Sequence, residues 1–343
     1  MSRLLVVLTA ALLAGAALVG AGRSGSHGVD STLRPAPGID VPGGYRAEIY
    51  ASGLRRPTAL AWGPDGLLYA TQEGGEVVAV GRGSARPRVA ARGFRVPLGI
   101  VFAGRRAFVS AQGALWRLDL AGTRLGGRRA LVSRLPYGRH QQDNVVIGRN
   151  GRLYFGSGST CDACMERDRR SAAVLSVRQD GRGLRVEARG LRNPYGLARG
   201  PGGIYVSVNN RDDLGTWEPA ETIVRLRRGA HYGWPACWPS WRQRRLTGAC
   251  RGVARPVAYL EPHSAPGGMA FWRGRLYVAE WGQYLSSRFG RKVVSVDVAT
   301  GRTRAFADGF EHPLAVAVDT RGDALLVADH GRGIIYRIVR EAS

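Results

Sequence analysis

Gly53-Leu54-Arg55-Arg56-Pro57 opens a pattern that recurs along the chain. It runs on through Ala59-Leu60-Ala61-Trp62, the turn Pro64-Asp65-Gly66, and Leu68-Tyr69-Ala70, then closes with Val77-Val78-Ala79-Val80. A glycine, a large apolar residue, two variable positions and a proline are thus followed by three short apolar runs. Such runs, separated by Asp-Gly, Asn-Gly or Gly-Gly, spell antiparallel hairpins. The pattern returns at Gly93-Phe94-Arg95-Val96-Pro97, Gly190-Leu191-Arg192-Asn193-Pro194 and Gly309-Phe310-Glu311-His312-Pro313. Divergent copies begin at Val145-Val146-Ile147-Gly148 and Gly267-Gly268-Met269-Ala270-Phe271. No other segment holds helical periodicity for three turns. Six sheet-like units predict an all-β chain, a six-bladed β-propeller. Propeller loops gather at one end of the central channel, and the longer insertions follow units three and four. A site is expected there.

The composition agrees with a folded domain. Of 343 residues, 44% are hydrophobic, enough for a sizeable core and too many for global disorder. The net charge of +24 raises a nucleic-acid surface as a possibility. Two features argue against it. All but one of the 50 Lys and Arg residues are arginine, the exception being Lys292, and they are scattered without a block of five or six. No nucleic-acid partner is expected.

At the N-terminus, Arg3 precedes an apolar run from Leu4 to Ala21, with small residues at Val19-Gly20-Ala21. Residues 1–22 are expected to be an export signal, or an uncleaved membrane anchor. Residues 23–44 read as a flexible lead-in, and 45–343 as the propeller. The protein is expected to be exported, whether extracellular, periplasmic or attached to the cell envelope. Membrane association is expected only if the first segment is retained. Four cysteines in an exported chain favour disulfides. The local pairs Cys161–Cys164 and Cys237–Cys250 are expected, with a four-cysteine zinc site as the alternative.

Three clusters could carry chemistry. Arg139-His140-Gln141-Gln142-Asp143-Asn144 places a histidine just before a blade's first strand, where it could act as a general base. Arg192-Asn193 in the fourth unit offers a rigid cationic fork. Asn209, Asn210, Asp212 and Asp213 offer clustered oxygens suited to Ca²⁺. His263 and His330 could also face the channel, although each reads first as a structural histidine.

These motifs together resemble the soluble quinoprotein sugar dehydrogenases. His140, with Gly148 eight residues on and Gly151-Arg152-Leu153-Tyr154-Phe155, is similar to that family's His-containing blade start. Gly190-Leu191-Arg192-Asn193-Pro194-Tyr195-Gly196-Leu197 resembles its Arg-Asn-Pro signature. Asn209 to Gly215 and Tyr232-Gly233-Trp234-Pro235 follow in the family's order. Ser157-Gly158-Ser159-Thr160-Cys161-Asp162-Ala163-Cys164 is most similar to the sorbosone-dehydrogenase-like branch. The resemblance spans roughly residues 45–340. It implies oxidation of an aldose or sorbosone-like sugar by pyrroloquinoline quinone (PQQ), with Ca²⁺ beside the cofactor and an unidentified electron acceptor. His140 would take the substrate proton, with Asp143 as a candidate to orient it. Arg192 would polarise the quinone oxygens beside Asn193, and the 209–213 loop would hold Ca²⁺.

The chain also departs from the family pattern. Ser159 stands about where the glucose-oxidising branch has an Asp supporting the histidine. The cations that grip PQQ from the last two blades are replaced by Glu311-His312-Pro313 and Glu280-Trp281-Gly282-Gln283, with Arg291 and Lys292 further on. Arg95, Arg139 and Arg288 are the candidate substitutes. Two other functions stay open: a non-catalytic binding propeller, and a Ca²⁺-dependent lactonase-type hydrolase using Glu73, Asp212, Asp213, Glu280 and Asp329.

Overall fold

The computed structural model describes residues 33–283 and 288–341. The expected signal or anchor, 1–22, lies outside the described residues. Among those described there is no helix.

Six antiparallel sheets follow one another along the chain. Blades 1 to 5 span 57–92, 99–132, 142–189, 197–262 and 266–307. Blade 6 takes three strands from 313–340 and completes itself with Tyr45–Ala51 from the start of the domain. This pairing of the two chain ends closes the ring and leaves no long open sheet edge. The first strands of the blades are Pro57–Trp62, Gly99–Ala103, Gln142–Ile147, Leu197–Gly200, Pro266–Trp272 and Pro313–Val318. Each touches the next, and the last touches the first, so they line a central channel.

The core lies in layers between neighbouring blades. Tyr69, Phe94, Ile100 and Leu118 fill the seam of blades 1 and 2. Phe108, Leu153, Phe155 and Leu175 fill that of blades 2 and 3. The repeat's opening motif explains itself here. Leu54, Phe94, Leu191 and Phe310 are all buried, and each follows a glycine with positive φ. At Gly53 a Cβ would also run into the Ala85 carbonyl. The turn therefore needs glycine.

The lead-in differs from expectation over 33–44. Arg34–Pro35 pairs with Tyr45–Ala51, Asp40 bridges to Asp308, and Ala36 and Ile39 are buried with Trp272, Tyr277 and Phe306. These residues seal the seam of blades 5 and 6 rather than forming a flexible linker.

Blade 4 carries the largest insertion. Its hairpin, Cys237–Ser240 with Arg245–Gly248, stands outside the main sheet. The disulfides are Cys161–Cys164 and Cys237–Cys250, the two local pairs.

Candidate active site

In every blade the first two strands form an antiparallel hairpin, so the residue entering the first strand lies beside the residue leaving the second. His140, Asn193, Ala265 and His312 stand before first strands; Ser159, Asn209, Trp281 and His330 stand after second strands. All therefore gather at one end of the channel. Two connected cavities occupy that end. One, of about 510 Å³, is axial and is lined by residues of all six blades and their entry loops, among them Thr58, Leu98, Gln141, Tyr195, Pro266 and Leu314. The other, of about 440 Å³, lies toward blades 3 to 5 and is lined by Arg139, His140, Arg192, Asp212, Glu221 and His263. Asn193, Asn209, Ala265 and Trp281 line both.

Arg192 is the centre of the second cavity. Its side chain is 3% exposed, and its Nη2 reaches Asp162 Oδ1 at 2.6 Å and Asp212 Oδ2 at 2.5 Å. Arg139 Nη2 donates to the same Asp212 oxygen at 2.8 Å. His263 Nδ1 faces Asp212 Oδ1 at 3.4 Å, and its Nε2 lies 2.9 Å from the Gly215 and Glu218 carbonyls. Both ring nitrogens therefore act as donors, which makes His263 an imidazolium. The bond to Asp212 pushes its pKa up to about 9, against the cost of burial. Burial alone would raise the Asp212 carboxyl, but the bonds from His263 and Arg139 and the Arg192 charge hold it well below the usual range. Burial raises Glu221 to about 8. At neutral pH the wall thus carries three cations against two carboxylates.

His140 is held by Ser159. The Ser159 hydroxyl donates to the Cys161 carbonyl at 2.6 Å and lies 3.0 Å from His140 Nδ1. A hydroxyl has one proton, so Nδ1–H must be the donor in the second contact. The lone pair is left on Nε2. Burial, then Arg192 and Arg139, push the ring's pKa down to about 3. His140 is a neutral acceptor at physiological pH. The backbone fits it closely: a Cβ at Gly158 would collide with the His140 Cβ.

No family model matches the chain, and no curated protein does. Solved structures do. The chain superposes on the PQQ domain of a pyranose dehydrogenase from Coprinopsis cinerea, in its holo form, with a TM-score of 0.75 at 20% identity, over 88% of this chain and 97% of that one. PQQ-bound aldose sugar dehydrogenase from Streptomyces coelicolor gives 0.71 at 21%, over 88% and 99%. The calcium structure of an AA12-family carbohydrate-active enzyme from Trichoderma reesei gives 0.79 at 16%, over 90% and 98%.

The chain shares its six-bladed propeller fold with these enzymes. In this propeller, His140, Arg192, Asn193 and Arg139 converge on one cavity. The calcium set does not converge as a group. Asn209 and Asp212 line the cavity, but Asn210 is not among the lining residues, its Nδ2 donating to the Ala220 carbonyl and Thr222, and Asp213 is turned onto Arg211 at 2.5 Å. Asp143 does not orient His140. Its carboxyl is buried with Oδ2 unpartnered, and burial raises its pKa well above the usual value, while Ser159 takes the orienting part.

Of the three candidate substitute arginines, Arg139 lines the cavity, whereas Arg95 lies over the Tyr137 ring and Arg288 over Trp217. His263 and His330, expected to be structural, both line cavity walls. Lys292 is held by Glu261 at 2.6 Å. The acids of the hydrolase reading are dispersed: Asp329 caps the turns at Glu311–His312 and Gly331–Arg332, Glu280 is buried against Ser264, and Glu73 pairs with Arg56.

Two site residues had no reading in the sequence. Asp162 sits inside the four-residue Cys161–Cys164 loop, and the disulfide holds it against Arg192. Trp281 stacks on His312 with ring centroids 3.9 Å apart and forms a wall of both cavities. An acid locked between paired cysteines was the one available signal for the first.

Proposed function

We propose that this chain is an exported PQQ-dependent sugar dehydrogenase. The observation that carries it is a neutral, oriented His140 beside a buried Arg192, at the channel mouth of a propeller shared with PQQ-containing dehydrogenases. The residues suit the cofactor. PQQ is a flat tricarboxylate, and Arg139, Arg192 and the protonated His263 supply three cations on one wall. Arg192 Nε and Asn193 Oδ1 are buried without partners among the described residues, a donor and an acceptor side by side in the chain that a polar ligand would satisfy. Trp281 offers an aromatic wall.

PQQ, when bound, would accept a hydride from the sugar carbon. His140 Nε2 would take the hydroxyl proton. Arg192, fixed by Asp162 and Asp212, would stabilise negative charge developing beside it, without having to reorganise. An anionic ligand would also offset the two arginine charges that depress His140, and so strengthen it as a base. Asn209 and Asp212 are the side chains that would hold Ca²⁺ in the cavity, Asp212 by exchanging part of its pairing with Arg139, Arg192 and His263 for the ion. The two disulfides support export.

The test is reconstitution of the mature protein with PQQ and Ca²⁺, followed by dye reduction over a panel of aldoses and sorbosone. Sugar-dependent reduction that requires PQQ is expected. Absence of PQQ binding at micromolar cofactor would overturn the proposal and favour the binding-module reading.

A further inference from the structure

A groove of about 400 Å³ lies on the far side of the Cys161–Cys164 loop from the central cavities. Asp162 faces Arg192 on one side of this loop; Met165, Glu166, Asp168 and Arg169 line the groove on the other. The loop and blade 4 share the boundary, because the Trp234 indole donates to the Asp162 carbonyl at 2.9 Å.

Three arginines, Arg169, Arg189 and Arg251, line this groove, and none of them makes an ion pair among the described residues. Two carboxylates line it as well, and both are already engaged, Asp168 by a cation and Glu166 by neutral donors that leave its charge in place. Glu166 accepts from the Thr160 backbone and hydroxyl, and Asp168 takes the Arg170 fork. The Ser171 hydroxyl, also in the lining, is buried at 3% exposure and has no hydrogen-bond partner among the described residues. A buried hydroxyl without a partner costs free energy unless a ligand or solvent satisfies it. The remaining wall is His231, whose Nδ1 accepts from the Gly233 backbone at 3.1 Å, and the apolar Ala172, Trp234, Pro235, Ala249 and Val253. Unpaired cations, an unsatisfied donor and an apolar wall, in a cleft of small-molecule size, describe one chemistry.

We propose that this groove binds a small organic anion: an apolar body bearing a carboxylate, sulfonate or phosphate group. The anionic group would sit on Arg189, Arg251 and the Ser171 hydroxyl, and the body would lie against Trp234. The site is independent of PQQ, so its test does not rest on the dehydrogenase reading.

Isothermal titration with 2-naphthoate, on the purified full chain without cofactor, tests it. One-to-one binding is expected. Arg189→Gln with Arg251→Gln should weaken it by about tenfold or more, since each charge-assisted contact is worth about that factor. Both residues are exposed, so the fold should survive, which thermal melting checks. Ser171→Ala should weaken binding several-fold. The neutral 2-naphthamide should bind at least about tenfold more weakly, as it lacks the charge. Arg139→Gln, in the central cavity, should leave binding unchanged. Absence of binding, full binding by the double variant, or loss on Arg139→Gln would each overturn the proposal. Sulfate that binds as tightly as naphthoate would remove the apolar part of the ligand class.

Discussion

The two sides of the channel mouth are built from different chemistry. The side of blades 3 and 4, with His263 from the start of blade 5, gathers His140, Arg139, Arg192, Asp162 and Asp212 into one charged network. The side of blades 5, 6 and 1 offers aromatic and imidazole surface instead. Trp281 stacks on His312, its indole N–H points to His330 at 3.5 Å, and His330 faces Glu73 at 3.2 Å. In the family pattern, cations on this second side grip the cofactor. Here the one lysine is tied to Glu261, and under the proposed function the gripping charge would lie on the first side. Under the proposed function, proton transfer and anion binding would fall to blades 3 and 4, and shape to blades 5 and 6.

That division can be broken by substitution. The largest effect should come from His140→Ala: turnover should fall by about 10²–10⁴, the usual range for a lost general base, with PQQ binding retained. Steady-state dye reduction and a cofactor titration on the same variant measure both. Next is Arg192→Gln. It should weaken PQQ binding at least tenfold. It should also cost roughly 2–3 kcal/mol of stability, less than a fully buried pair because Asp212 is half exposed. Denaturant unfolding reads the second part, and an unchanged midpoint would show that the pairing with Asp162 and Asp212 is idle.

Trp281 should matter less. Trp281→Leu should raise KM several-fold while kcat falls little, and Trp281→Phe should restore most of the loss. A kcat defect equal to that of His140→Ala would erase the contrast between the two sides.

The pH profile sharpens the same comparison. Because burial and two arginines lower the His140 pKa, the neutral base persists as pH falls, and the acid limb of kcat/KM should lie below pH 6.5. A limb near 7 would mean a solvated imidazole. The smallest effect concerns Glu280, whose burial raises its pKa to about 8. The native state holds this proton longer than the unfolded chain does. Stability should therefore decline as pH rises from about 4.5 to 8. Glu280→Gln should flatten that part of the melting-temperature profile.

The fold was legible because its signals are local. The Gly-Leu/Phe-x-x-Pro turn, the hairpins and the alternating runs each lie within one blade. The lead-in was not legible, because Ile39 is buried by residues more than two hundred positions away. The site was legible in part. His140 and Arg192 stand at blade entrances, and the repeat fixes where entrances lie. Asp212 and Asp213 are adjacent and chemically alike, yet one turns to Arg192 and the other to Arg211; nothing local decides between them. Asp162 was hidden because its partners are thirty and fifty positions further along. Asp143 drew attention by closeness in sequence to His140, whereas Ser159, across the hairpin, makes the bond.

The most direct test is a titration of the cofactor-free protein with PQQ, comparing wild type with the Arg139→Gln, Arg192→Gln double variant. One molecule should bind per chain at micromolar or tighter affinity, and the double variant should lose it. No binding by the wild type, or equal binding by both proteins, would contradict the assignment of the cofactor to the wall of blades 3 and 4.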